Sequence, residues 1–413
     1  MEIFVPNNSQ ISFIEIPPSK SYAQRAILAA ALSSSNSIIV NAGKSDDVIN
    51  MLAAIKSLGA IVEEKENTFS IVGRQNKPGQ IIQCGESGLG TRLLASVVPT
   101  LENSFELNGE GSLLKRPMTD LEEFLPKFGV TCKTNNGFLP IHLDGKLHGG
   151  NVQLDGSKSS QYLSGLLMAL PLCKEDSVLE VSNLTSKPYI DITLDVLEQF
   201  GIEIENQNYS TFKIKGNQTY KLKEKIFVVE GDYSGAAFWL VLGAISNQKI
   251  TIKSLKKYSV QADRSIVSLL EKVGAKTGWG RAQLFVEKET LIPFEFDAND
   301  CPDLIPALVV LAAACKGTSR IAGANRLIHK ESNRALVLQK EFAGLDLKIE
   351  NENDLLIVHG TGKLKTGTID SNNDHRIAMA GAIASCLTDS GITIKNADAV
   401  SKSYPDFWDL FKL

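Results

Sequence analysis

Hydrophobic and polar positions along the chain fall into one recurring pattern. An amphipathic helix stops at a glycine, and two alternating strands follow around a short polar turn. The pattern is read in SLGAIVEEKENTFSIVG from Ser57, KFGVTCKTNNGFLPIHLDG from Lys127, QFGIEIENQNYSTFKIKG from Gln199, KVGAKTGWGRAQLFVEK from Lys272 and FAGLDLKIENENDLLIVHG from Phe342. The helix-ending glycines are Gly59, Gly129, Gly201, Gly274 and Gly344, and the interval between successive ones is nearly constant. Each sits where a helix C-cap needs a positive φ, and the turn residues that follow predict hairpins. So regular a period predicts structural repeats.

A further glycine would fall just past Leu413, after the helical-looking PDFWDLFKL. The N-terminal MEIFVPNNSQISFIEI has the strand pattern that this last repeat lacks. Six repeats are therefore expected, the sixth split between the termini and taking its hairpin from the start of the chain. Pro17-Pro18 and Glu230-Gly231-Asp232 are candidate crossing points. They predict two similar α/β domains of three repeats each, residues 19–230 and residues 1–18 plus 231–413, with the chain crossing between them twice.

Composition narrows the function. A length of 413 residues exceeds one ordinary core, and 43% apolar with 22% charged residues describes a packed globular chain, not a disordered one. The longest uncharged apolar run, Leu304 to Cys315, is interrupted by Pro306 and is too short to span a bilayer. No secretory signal is read at the N-terminus, so a cytoplasmic location is expected. The six cysteines are scattered without C-x-x-C spacing, as for reduced thiols. A net charge of −4, from 43 basic and 47 acidic residues, gives no global attraction to nucleic acid or anionic lipid. Any anionic ligand must be met by local clusters of cations.

Such clusters lie at predicted helix starts. Ser19-Lys20-Ser21 and Arg25 open AQRAILAAAL, where free N–H groups favour an anion and Ser21 and Arg25 share a face. Gly156-Ser157-Lys158-Ser159-Ser160-Gln161 opens YLSGLLMAL and repeats the Ser-Lys-Ser tripeptide at a similar phase. The glycine-rich turn from Gly85 to Arg92, with Gly88 at its centre, precedes RLLASVV and allows close backbone approach to a ligand. Lys330-Glu331-Ser332-Asn333-Arg334 places two cations on one helix face, Asn372-Asn373-Asp374-His375-Arg376 opens IAMAGAIASCL, and Asp303 starts LIPALVVLAAAC. Singly, each has a plainer explanation: a serine or aspartate cap, or a solvated charged face. No H-x-x-x-H, H-E-x-x-H or G-x-S-x-G arrangement is present, and neither a metal nor a cofactor is expected.

Taken in order, these clusters resemble the EPSP synthase (3-phosphoshikimate 1-carboxyvinyltransferase) group of the enolpyruvyl-transferase family. The resemblance also draws on Lys115-Arg116-Pro117-Met118, Ser186-Lys187-Pro188-Tyr189, Glu230-Gly231-Asp232 and Ser401-Lys402 with Pro405-Asp406. It implies an α/β fold of six βαβαββ units in an inverse α/β-barrel-like arrangement. It also implies transfer of the enolpyruvyl group of phosphoenolpyruvate to the 5-hydroxyl of shikimate 3-phosphate, in a monomeric enzyme without nucleic-acid or membrane partners.

By the same resemblance, shikimate 3-phosphate is held by Lys20, Ser21, Arg25, Ser159, Ser160, Gln161, Ser186, Asp303 and Lys330. Phosphoenolpyruvate is held by Lys20, Gly88, Arg116, Gln161, Arg334, Arg376 and Lys402. Asp303 takes the hydroxyl proton, and either Glu331 or Lys20 protonates the methylene carbon. Seven matched cations, Lys20, Arg25, Arg116, Lys330, Arg334, Arg376 and Lys402, are expected to stand unpaired until ligands arrive. A carboxylate between Lys330 and Arg334 is an awkward resting acid, because both neighbours favour its ionised form. Three positions depart from the family pattern: Glu86, Arg326 and Asn333. Glu86 beside anionic substrates would need a cation such as Arg92. The rival readings are enolpyruvyl transfer to UDP-N-acetylglucosamine, which typically uses a reactive cysteine, a catalytically silent relative, and an RNA-end-processing enzyme of related architecture.

Overall fold

The computed structural model describes all residues except 78, 103, 158, 282, 412 and 413. The chain divides into two compact units: a central one, Pro18–Val229, and a terminal one made of Met1–Pro17 and Glu230–Leu413. Each has its own hydrophobic core.

The helices of the central unit are α1 (Lys20–Leu32), α2 (Asp46–Ser57), α3 (Gly88–Val97), α4 (Thr119–Phe124), α5 (Ser160–Ala169) and α6 (Lys187–Gln199). Those of the terminal unit are α7 (Tyr233–Ile245), α8 (Ser265–Lys272), α9 (Ile305–Ala314), α10 (Arg334–Ala343) and α11 (His375–Ala384). Three helices in each unit, α1, α3 and α5, then α7, α9 and α11, are buried along nearly their whole length. Their sequences explain this: Ala-, Leu- and Val-rich runs are apolar all round, so no face is left for water. The outer helices α2, α6, α8 and α10 bury one side only.

Among the described residues six sheets lie outside these helices, their strands alternating buried and exposed positions. In one representative, Asn151–Asp155 pairs parallel with Ser177–Ser182, and the hairpin of Ile204–Gln207 and Thr211–Ile214 adds antiparallel to the latter. With α5 and α6 as crossovers, this is a βαβαββ unit. The expected α/β architecture of such repeats is present, with helices inside and strands outside, although the last repeat is incomplete among the described residues. Among the described residues, however, each sheet is open and none closes into a barrel.

All five hairpins read from the hydrophobic pattern form. Gly59, Gly129, Gly201 and Gly274 have φ between 76° and 97°, as a left-handed helix cap requires. Gly344 does not: its φ is −62°, because the turn runs on past it and Asp346 takes the left-handed conformation instead. The sixth hairpin is also absent among the described residues. Glu2–Pro6 adds antiparallel to Gly391–Lys395, whereas Phe13–Glu15 leaves for another sheet and pairs parallel with Ile250–Lys253. The sixth sheet thus has three strands, and the N-terminal segment serves two repeats. A comparable exchange occurs in the central unit, where Ile226–Val228, at its end, pairs parallel with Ser37–Val40, near its start. No helix among the described residues is long and apolar enough to cross a membrane.

Candidate active site

Many of the predicted site residues lie at helix N-termini: Lys20, Ser21, Gly88, Ser159, Ser160 and Gln161 in the central unit, and Asp303, Arg334 and Arg376 in the terminal one. These ends carry N–H groups without intrahelical partners and a partial positive charge.

In the central unit the three caps are serines. Ser87 Oγ accepts from Gly90 N at 3.1 Å and donates to Gln24 Oε1 at 2.7 Å, tying the start of α3 to α1. Ser159 Oγ accepts from Gln161 N at 3.3 Å. Ser19 caps α1 with its backbone only, its hydroxyl buried and without a hydrogen-bond partner among the described residues. Among the described residues no acid lies in the first turn of α1, α3 or α5. Ser160 and Ser186 are buried, and Ser186 adopts a left-handed conformation at the start of α6.

Arg25, 1% exposed, is held by neutral groups among the described residues. Nε donates to Thr193 Oγ1 at 2.8 Å, Nη1 to the Ser21 carbonyl at 2.9 Å, and Nη2 to Ser164 Oγ and the Tyr189 carbonyl at 3.3 Å. Burial lowers its pKa to about 10, against a smaller opposing effect of Tyr189. A buried guanidinium satisfied only by dipoles is primed for an anion. Arg92 Nη1 donates to the Gly88 carbonyl at 3.0 Å and to Gln161 Oε1 at 3.1 Å. A side chain at Gly88 would run into the Arg116 guanidinium. Gly88, Arg92, Arg116 and Gln161 therefore form one neighbourhood, while Arg25 with Ser21, Ser164 and Thr193 forms another. Lys158 lies outside the described residues.

In the terminal unit the corresponding helix starts carry aspartates instead. Asp232 accepts from Gly235 N at 3.0 Å at the start of α7, Asp374 accepts from Arg376 N at 3.0 Å at the start of α11, and Asp303 occupies the turn that leads into α9. Asp303 Oδ1 accepts from Arg334 Nη1 at 2.8 Å and is 3.2 Å from Lys330 Nζ, and its Oδ2 accepts from Arg376 Nη2 at 3.0 Å. Arg334, also 1% exposed, donates from Nε to Asp374 at 2.7 Å and from Nη2 to Glu331. Burial pulls the Arg334 pKa down, but Asp374, Glu331 and Asp303 outweigh it and hold it above the ordinary value. Burial lowers that of Lys330 despite Asp303. Lys402 Nζ donates to the Asn373 carbonyl at 2.9 Å.

The expectation of unpaired cations is overturned for Lys20, Lys330, Arg334 and Arg376. Lys20 Nζ pairs with Asp47 Oδ2 at 2.8 Å, and Lys330, Arg334 and Arg376 share Asp303. A lone buried charge is costly to leave without a partner, and for these four the chain supplies counterions. Arg334 still has donors to spare, since a guanidinium carries five N–H groups and three are engaged with carboxylates. Glu86 takes donors from Ser112, at 2.8 Å from N and 2.6 Å from Oγ, and Arg92 is engaged elsewhere. Asn333 acts as the cap of α10, accepting from Leu336 N at 3.4 Å.

Sequence reasoning assigned Asp374 only a capping role and missed Asp47, Asp263, Ser164 and Thr193. Their signal is three-dimensional, because each faces its cation from a different element of the fold. The cysteines carry no reactive signature, since burial pushes Cys84 and Cys315 up to about 11 and Cys132, Cys173 and Cys386 up to about 12. No cluster of three His, Cys, Asp or Glu among the described residues is disposed to hold a metal ion.

Comparison with known proteins decides the family. The family model described as EPSP synthase (3-phosphoshikimate 1-carboxyvinyltransferase) matches residues 6–411. The chain belongs to the EPSP synthase family. Among its relatives, the 3-phosphoshikimate 1-carboxyvinyltransferase of Clostridium kluyveri is 40% identical over 404 residues, covering 97% of this chain and 94% of that one. The enzyme of the same name from Clostridioides difficile is 38% identical over 414 residues, with the same coverage. Solved structures agree on the EPSP synthase fold. An Acinetobacter baumannii EPSP synthase superimposes with a TM-score of 0.84 at 24% identity, covering 100% of this chain and 97% of that one. The enolpyruvyl transferase NikO of Streptomyces tendae superimposes at 0.79 with 18% identity, covering 100% and 96%.

Proposed function

We propose that this enzyme transfers the enolpyruvyl group of phosphoenolpyruvate to the 5-hydroxyl of shikimate 3-phosphate, giving 5-enolpyruvylshikimate 3-phosphate and inorganic phosphate, a step of aromatic amino-acid biosynthesis. The observation that carries the reading is Asp303, a carboxylate gripped by Lys330, Arg334 and Arg376 at the start of a buried helix. It stands in a chain aligned nearly end to end with relatives named for this reaction.

The substrates suit these groups. Each phosphate carries about −1.5 to −2 charges, and each molecule adds a carboxylate. Ser21, Arg25, Ser159, Ser160, Gln161 and Ser186 take shikimate 3-phosphate, with Lys330 and Asp303 on the reacting hydroxyl side. Gly88, Arg116, Gln161, Arg334, Arg376 and Lys402 take phosphoenolpyruvate, and Lys20 serves both ligands. Asp303 removes the hydroxyl proton as the oxygen bonds to C2 of phosphoenolpyruvate, while C3 gains a proton from Glu331 or Lys20. The tetrahedral adduct then loses phosphate from C2 and a proton from C3, which restores the double bond.

The Glu331–Arg334 ion pair supports a second element of this scheme. Phosphoenolpyruvate arriving at Arg334 competes with Glu331 for the guanidinium, and a released Glu331 is the better acid. The buried, protonated Cys132 fits poorly with the cysteine-dependent transfer to UDP-N-acetylglucosamine. A cytoplasmic, monomeric enzyme completes the proposal.

The test is phosphate release by the purified enzyme. Release is expected only when phosphoenolpyruvate and shikimate 3-phosphate are both present. Release with UDP-N-acetylglucosamine and none with the shikimate ester would overturn the assignment.

A further inference from the structure

One departure from the family pattern has no part in the roles above. Glu86 lies in the glycine-rich turn immediately ahead of Ser87, the cap of α3, and is half-buried. Its Oε2 accepts two hydrogen bonds from a single residue, from Ser112 N at 2.8 Å and from Ser112 Oγ at 2.6 Å. Ser112 belongs to the short turn Gly111–Lys115, which is capped at its end by Arg116. Gly111 has a φ of 55°, and a Cβ there would run into the Glu86 carboxyl, so this approach requires glycine on both counts.

These contacts belong to a longer seam between two segments. Cys84 N donates to the Asn108 carbonyl at 2.8 Å and Glu110 N to the Gly85 carbonyl at 2.9 Å, and the Glu86–Ser112 pair extends the seam by one step. Beyond it, Leu113 is fully buried, Arg116 N donates to the Leu113 carbonyl at 3.1 Å, and Arg92 Nη2 donates to the Pro117 carbonyl at 3.2 Å. Residues 112–117 are thus held at one end by Glu86 and at the other by Arg92. The Arg116 guanidinium lies against Gly88, which falls between those two anchors in the sequence. We propose that Glu86 is a positioning residue: its grip on Ser112 sets Arg116 over Gly88, where the reading above places phosphoenolpyruvate.

Local capping does not account for the contact. A side chain at the start of the turn itself would satisfy one N–H, whereas Glu86 reaches across from another segment and takes both donors of Ser112 with a charged acceptor. The same geometry answers the objection to a carboxylate beside anionic substrates, since the carboxylate is turned onto Ser112. Without Glu86 the turn keeps Leu113 in the core and Pro117 on Arg92, so the fold survives. Its first half loses an anchor, however, and ordering Arg116 then draws on the binding energy of the ligand. The loss falls on phosphoenolpyruvate. Shikimate 3-phosphate is assigned to Ser21, Arg25 and Ser186, which lie on α1 and at the start of α6, away from this seam in the sequence.

The inference rests on the enolpyruvyl transfer proposed above. The experiment is steady-state phosphate release, with KM measured for each substrate, by the wild-type enzyme, Glu86→Ala, Glu86→Gln and Ser112→Ala. Glu86→Ala is expected to raise KM for phosphoenolpyruvate about tenfold or more, with KM for shikimate 3-phosphate within about threefold, the pattern of one lost binding contact. Glu86→Gln, whose amide oxygen can still accept from Ser112 N, should return KM for phosphoenolpyruvate to within about threefold of wild type. Ser112→Ala removes one of the two hydrogen bonds and should raise the same KM by about threefold, a result that decides the matter even where Glu86→Ala fails to fold. An active wild type with an unchanged or lower KM for phosphoenolpyruvate in Glu86→Ala and Ser112→Ala would overturn the role of Glu86 alone. So would a rise in both KM values together, or a Glu86→Gln as impaired as Glu86→Ala. A wild type that releases no phosphate from the two substrates would overturn the functional reading and this inference with it.

Discussion

Arg25, on a buried helix of the central unit, and Arg334, at the start of an outer helix of the terminal unit, are equally buried, yet they are held by opposite means. Arg25 is surrounded by hydroxyls and carbonyls, and burial lowers its pKa. Arg334 is clasped by Asp303, Asp374 and Glu331, which outweigh burial and raise it. The starts of the buried helices follow the same division: serines in the central unit, aspartates in the terminal one. A serine cap satisfies an N–H without cancelling the helix-end charge, so the field stays available to an incoming dianion. An aspartate cap spends that field on a resident carboxylate. The central unit is thus arranged to receive negative charge, and the terminal unit to hold a network of its own charges in place around Asp303.

Substitutions that treat the two units alike separate these designs. The largest effect is expected at the base: Asp303→Ala should lower kcat by about 10² to 10⁴, read by phosphate release at saturating substrates. Unchanged turnover would remove Asp303 from the chemistry. Stability should then distinguish the two arginines. Arg334→Met strands the fully buried Asp374 and takes a cation from Asp303 and Glu331. It is expected to cost about 3–5 kcal/mol in denaturant unfolding. Arg25→Met strands no acid and leaves only neutral acceptors, at a cost of about 1 kcal/mol. Equal losses would show that the counterions do not set the difference.

The repeat was legible because its markers are local. A glycine that ends a helix and the hairpin after it occupy one short stretch of chain, and four of the five glycines take the expected φ. Strand exchange was not legible. Glu2–Pro6 and Phe13–Glu15 read as one hairpin, but each finds its partner beyond the second crossing point, in Gly391–Lys395 and Ile250–Lys253. An alternating strand reveals that it has a buried face and says nothing about which edge it joins. The site followed the same rule. Lys20, Arg25, Asp303 and Arg376 stood out through their position at helix starts. The cap reading of Asp374 was correct and incomplete, since Arg334 meets it from the start of another helix. Asp263 gave no signal at all, because a lone acid in a turn is usually solvated and only the packing of neighbouring elements around it makes it buried.

Calorimetric titration with shikimate 3-phosphate alone tests the division between the units most directly. The account predicts that Arg25→Met weakens binding at least about tenfold, as expected for loss of a charge-assisted phosphate contact, while Asp303→Ala binds within about threefold of wild type, as expected for a group acting mainly in the transition state. Wild-type affinity in Arg25→Met, or a loss in Asp303→Ala as large as that in Arg25→Met, would contradict it.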